Sequence, residues 1–147
     1  KISDGQARAN REVKISASVK TPGGSRNMGS KEFRVRQVPA PTPYFGSHES
    51  GKSLARGQLR LVNFIAVRMD NFAYELSYSV TKFKMALIRQ QGSDEVVSIR
   101  GSRLNNRAKQ LLGSARPGDR IIVEDIWATA PQLGRRRLPT GITISIR

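Results

Sequence analysis

The chain has 147 residues, 37% hydrophobic and 25% charged, a soluble globular composition sized for one domain, or one domain and a fragment. Lys and Arg number 26 against 11 acids, a formal net charge of +15, which calls for an anionic partner: nucleic acid, glycan, lipid headgroup or acidic protein. Cysteine is absent and His48 is the single histidine, which excludes disulfides, thiolate metal sites and thiol catalysis and leaves any histidine chemistry resting on one loop residue.

The N-terminus, KISDGQARANREVKIS, is polar and begins without Met, so the chain reads as a piece of a longer protein. No run approaches the roughly 20 apolar residues that a bilayer-spanning helix needs. Residues 12–20, EVKISASVK, alternate with Val13, Ile15, Ala17 and Val19 on one face, the period of a half-buried strand. TPGGSRN is a turn, and KEFRVRQV is a second strand with Phe33 and Val35 inward. Two strands do not bury a core by themselves, so residues 1–38 read as the last strands of a preceding β-domain. PAPTP at 39–43 places three prolines in five positions. Each removes an amide donor and biases its predecessor toward extended backbone, which predicts a stiff connector. Residues 44–147 then form the C-terminal domain.

GSHESGKS, residues 46–53, spells the consensus of a phosphate-binding loop, with Gly51, Lys52 and Ser53 as its working residues. Such a loop leaves a buried parallel strand and enters a helix, and here a proline-broken stretch precedes it and Gly57 follows within four residues of Ser53. The context therefore predicts a tight turn with a solvated lysine.

LRLVNFIAVRM (59–69) reads as a strongly apolar strand. In the next stretch, Phe72, Tyr74, Leu76, Tyr78 and Val80 fall on even positions, and Phe83, Met85 and Leu87 on odd ones. One added residue swaps the faces of a strand. A bulge or bend near Thr81 and Lys82, or a strand passing between sheets, accounts for the flip. QQGSDE is a turn and VVSIRG a short strand. SRLNNRAKQLLG carries Leu104, Ala108, Leu111 and Leu112 on one face and predicts one short helix, started by Ser102 or Asn105 and stopped at Gly113. IIVEDIWA and the alternating Ile142, Ile144 and Ile146 are the closing strands. Asp119, after Pro117 and Gly118, is placed to cap its turn. Adjacent Glu124 and Asp125 point to opposite faces of a regular strand, which rules out a carboxylate dyad. Asp125 and Trp127 share a face. The fold class is all-β: an Ig-like β-sandwich with one short helix.

Three stretches together, FRVRQVPAPTPYFG (33–46), RPGDRIIVEDIWA (116–128) and RRRLPTGITISIR (135–147), resemble the C-terminal part of the GldM/PorM family of gliding motility and type IX secretion. Ala40, where the family usually has an acid, and the GSHESGKS loop depart from its pattern. The resemblance implies a non-catalytic periplasmic module without cofactor or metal. The full protein would be anchored in the inner membrane by an N-terminal helix joining a proton-driven motor subunit. It would form a homodimeric rod and reach an outer-membrane-associated ring lipoprotein and that lipoprotein's soluble partner. Nucleic acid and small-molecule substrates are not expected, and a basic β-domain binding an anionic polymer is the alternative. The expected docking residues are Arg103, Arg107 and Lys109 on the polar helix face, Trp127, and Arg135, Arg136 and Arg137 in a loop with no acid beside it.

Overall fold

Period-two alternation becomes strand along most of the chain. The computed structural model describes residues 12–34, 38–70, 76–131 and 133–147, and it is mainly β, 55% strand and 12% helix. Two compact units divide it, Lys1–Pro39 and Ala40–Arg147. In the first, β1 (Glu12–Thr21) and β2 (Gly24–Arg34) pair antiparallel through a turn at Pro22 and Gly23, with a register shift after Ala17. Val13 faces Phe33 across the pair, yet Ile15, Val19, Met28 and Phe33 are all exposed. Val35 lies outside the described residues.

The second unit begins with β3 (Thr42–Phe45), β4 (Ser53–Leu54), α1 (Arg56–Leu61), β5 (Ile65–Arg68) and β6 (Ser79–Ile88). It continues with β7 (Glu95–Arg100), α2 (Asn106–Ser114), β8 (Arg120–Ala130), β9 (Gly134–Arg137) and β10 (Ile142–Ile146). A six-stranded sheet runs β4-β10-β8-β6-β7, with β9 paired to β8 as well. Its inner face carries Phe83, Met85, Ile99, Ile121, Val123, Ile126 and Ile144, each nearly or fully buried. Against that face lies a second layer, the antiparallel β3–β5 ribbon and both helices, which contributes Phe45, Ile65, Leu59, Ala108 and Leu111 to the same cluster. Burying a side chain of this size is worth about 1.5–3 kcal/mol, so the layered packing, more than local propensity, determines which segments fold.

Several sequence expectations change here. Thr42 and Pro43 belong to β3, and Pro41 and Pro43 are buried. Pro43 sits in the two-stranded ribbon opposite Val67, where a missing amide donor is tolerated. The stretch 59–69 is not one strand. Leu59 ends inside α1, and β5 starts only at Ile65. Gly57 falls in the first turn of that helix, where the Gln58 side chain accepts from the Ala55 N–H at 3.0 Å. Leu59 is fully buried, and the Arg56 guanidinium donates to the Gly113 carbonyl at 3.3 Å near the end of α2. A tertiary contact thus holds a helix that local sequence argues against. In α2, Asn105 is the cap, accepting from Ala108 N–H at 2.8 Å. The helix runs through Gly113 and ends at Ala115 with an ordinary extended backbone.

The face swap in β6 is a bulge. Val80 pairs with Ala128 and Lys82 with Trp127, so Thr81 is the extra residue. Phe72 and Tyr74, the start of that pattern, lie outside the described residues. Asp119 closes the turn before β8 as expected, and it does more. One carboxylate oxygen accepts from Arg116 N–H at 2.9 Å, and the other from Gln90 N–H at 3.1 Å. Arg89, at the end of β6, reaches Asp119, Glu95 and Ser114. Burial opposes charge on Asp119, but these two amide donors and the neighbouring arginines outweigh it and hold its carboxyl below the usual range.

Candidate docking surface

A second register shift decides what the outer face of the large sheet presents. Lys84 pairs with Glu124 and Lys82 with Trp127, so β8 has one residue more than β6 between them. The extra residue is Asp125, with φ of 52°. Aspartate is among the residues that visit this left-handed region more readily. The buried positions of β8 move from Ile121 and Val123 to Ile126, Ala128 and Ala130 across it. Glu124 and Asp125 therefore both leave the core. The opposite-face expectation for these two acids fails because the bulge consumes half an alternation.

Register then places a row of side chains across four strands. Arg100 on β7 is opposite Lys82 on β6, Lys82 is opposite Trp127 on β8, and Trp127 is opposite Arg137 on β9. Directly paired residues share a face, and neighbouring strands lie about 4.8 Å apart, so the row covers about 14 Å. Arg135 stands beside it, opposite Thr129, and Lys84 flanks it from the other side. Lys82 and Arg100 are like charges in direct cross-strand opposition, an arrangement that costs stability in a sheet.

Trp127 is half-buried at the centre of this face. The Lys82 ammonium from the β6 side and the Arg135 guanidinium from the β9 side each lie 4.9 Å from its ring centroid, within cation–π range. Its indole N–H donates to Asp125 Oδ1 at 3.2 Å. The same oxygen takes Arg137 Nε at 2.9 Å, and Oδ2 lies 3.7 Å from Lys84 Nζ. The indole hydrogen bond lowers the Asp125 pKa first; partial burial works against it, and Arg137, Lys84 and Lys82 reinforce it.

The expected docking residues divide between two layers. Trp127, Arg135 and Arg137 come together on the outer face. Arg136 pairs with Ala128 and takes the opposite side of the sheet. The 134–137 segment is the strand β9 rather than a loop, and Asp125 is the acid beside it. Arg103 and Lys109 border a cleft of about 450 Å³ with Phe64 on the helix side, and Arg107 borders another with Arg89 and Glu95. Because α2 buries Ala108, Leu111 and Leu112 against the inner face, these three cations belong to the other layer. Sequence reasoning missed Lys82, Lys84 and Arg100. Their outward phase was legible from alternation, but their adjacency to Trp127 depends on cross-strand register.

GSHESGKS has no phosphate-cradling geometry. The Phe45 and His48 amides pair with each other's carbonyls, Gly46 N–H donates to the Phe64 carbonyl, and Gly51 N–H donates to the Thr143 carbonyl. Ser53 opens β4, parallel to β10, and no helix starts at the lysine. Among the described residues no group of three His, Cys, Asp or Glu side chains is placed to hold a metal ion. Residues 39–147 match the GldM C-terminal domain family. No curated protein matches the chain.

Proposed function

Because the chain belongs to the GldM family through its C-terminal domain, a family of gliding motility and type IX secretion, we propose that it is a non-catalytic, periplasmic protein-binding module of that machinery. The outer face of the large sheet is its docking surface. In the intact homodimeric protein the module links a proton-driven inner-membrane motor to the outer-membrane-associated ring lipoprotein and its soluble partner. One observation carries the docking assignment: the row Arg100–Lys82–Trp127–Arg137, which sets like charges side by side around an aromatic anchor. A sheet that tolerates such repulsion has a use for the charge, and aromatic and arginine side chains are the residue types that dominate interface energetics. The anionic-polymer alternative is less well supported, since it would use the indole to stack a base, and the Lys82 and Arg135 cations already lie 4.9 Å from the ring centroid.

Charge reversal at Arg100 and Arg135 tests the assignment, because neither forms an ion pair among the described residues. Rim charges act mainly on association rate and are screened over a Debye length of about 8 Å at physiological salt. The double variant Arg100→Glu, Arg135→Glu should associate more slowly with the purified ring complex, most clearly at low salt, with little change in melting temperature. Unchanged association at every salt concentration would remove this face as the docking surface.

A further inference from the structure

Resting on that docking reading, we propose that Asp125 is a resident competitor: it occupies the carboxylate-binding site of the outer face until an acidic segment of a partner protein takes its place. The three groups around it make a carboxylate receptor. The Trp127 indole N–H and Arg137 Nε both reach Oδ1, at 3.2 and 2.9 Å, and Lys84 Nζ stands 3.7 Å from Oδ2. A guanidinium and an indole N–H are directional donors, well suited to a carboxylate oxygen.

The backbone shows that this carboxylate is placed there at a cost. In a regular strand the residue after outward-facing Glu124 would point into the core. Only the bulge, with Asp125 at φ of 52°, turns its side chain outward into the midst of the cations. The site is also open to exchange, since the Asp125 side chain keeps 23% of its exposure and Arg137 keeps 63%. Solvent and salt weaken ion pairs this exposed, so an incoming acid can displace one.

Charge complementarity selects the occupant. With Asp125 in place, Lys82, Arg100 and Arg135 still have no acid paired to them among the described residues. The face therefore accepts further carboxylates as well as exchanging one. An acidic protein segment supplies both: one carboxylate for the Asp125 position and others for the row beside it.

Comparison with the neighbouring acid separates competition from the mere loss of a negative charge. Glu124 is exposed and lies opposite Lys84, so Glu124→Gln removes the same charge without vacating the site between Trp127, Arg137 and Lys84. As a competitor, Asp125 on removal tightens binding by more than Glu124→Gln does. If it merely organised Trp127 and Arg137, its removal would tighten binding by no more than that. Fluorescein-labelled hexaglutamate is titrated by fluorescence anisotropy against the full chain and against the Asp125→Asn, Asp125→Gly and Glu124→Gln variants, at low and at physiological ionic strength. Asparagine and glycine both accept the left-handed backbone, and thermal melts verify that each variant is folded. Both Asp125 variants should bind about two- to fivefold more tightly than Glu124→Gln at low salt, with the gain shrinking as salt rises. A gain by the folded Asp125 variants no larger than that of Glu124→Gln, or unchanged or weaker binding, overturns the competitor role. A heparin oligosaccharide and a single-stranded oligonucleotide are run in parallel. An equal gain for either would mark a general anion site and overturn the assignment to an acidic protein segment. Arg100→Glu, Arg135→Glu separates the two levels. If it abolishes hexaglutamate binding while the Asp125 variants change nothing, the docking face stands and the competitor falls. If it leaves hexaglutamate binding intact, the face itself is misassigned and the competitor falls with it.

Discussion

The turn before β8 and the bulge in its middle each hold an aspartate among arginines and hydrogen-bond donors, and they do opposite things with it. Asp119 is buried, satisfied by two backbone amides and braced by Arg89. Asp125 is partly open and satisfied by side chains, the exposed Arg137 and Lys84 and the half-buried Trp127. Amide partners are fixed by the fold, so the Asp119 site is closed and structural. Side-chain partners can exchange, so the Asp125 site can bind. The difference teaches that a depressed carboxylate pKa does not by itself mark function; what matters is whether the groups that stabilise the charge are free to stabilise another.

The largest effect on stability is expected at the buried aspartate. Asp119→Asn replaces one acceptor oxygen with a donor facing an amide N–H, which should cost about 1–3 kcal/mol, read as a lower urea midpoint. A loss as small as that of an ordinary surface change would mean the two ends are not different in kind. Nearly as large an effect is expected next to the bulge. A Cβ on Gly141 would come within 2.5 Å of the Val123 carbonyl oxygen, because β10 closes on β8 just where the bulge begins. Gly141→Ala should therefore cost about 1–3 kcal/mol through forced backbone movement, measured by the same denaturation.

Asp119 has a folded pKa below its unfolded value, which is about 3.9. The stability it contributes is present above that unfolded value and is lost as the pH falls through the depressed folded one. The gap in urea midpoint between the wild type and Asp119→Asn should hold from neutral pH to about 5 and narrow below about 4. A gap that widens with acid would contradict the direction of the shift.

At the open end the largest consequence falls on recognition rather than stability. Trp127→Ala should slow or loosen docking to the ring complex while shifting stability less than Asp119→Asn does. A melting temperature that falls further than that of Asp119→Asn would make Trp127 a core residue. The smallest effect belongs to Lys52→Ala, a surface change in a loop whose Gly46, His48 and Gly51 amides are already paired, expected within about 0.5 kcal/mol. Magnesium-dependent ATP binding by the wild type, abolished in that variant, would reopen the phosphate-loop reading.

Alternation and turn chemistry along the chain determined the β1–β2 hairpin, the strands β6, β7, β8 and β10, the capped α2 and the family, and narrowed the face swap to Thr81 and Lys82, because each rests on neighbours in sequence. Packing decided β3, the true extent of β5, and β9, expected as a loop. Helix α1 was illegible, since it depends on Leu59 reaching the core and Arg56 reaching α2, contacts that no local pattern encodes. The candidate site was half legible. Trp127, Arg135 and Arg137 stood out by residue type, while Arg103, Arg107 and Lys109 stood out equally and belong to another layer. Lys82, Lys84 and Arg100 drew no notice because a lysine or arginine on the polar phase of a strand looks like any solvated charge. Only the pairing of β7, β6, β8 and β9 turned them into a row, and only an added residue in β8 swung Asp125 out to meet it. Register joins residues that are far apart in sequence, and a one-residue bulge reverses which way they point; both are fixed by how the strands pack together.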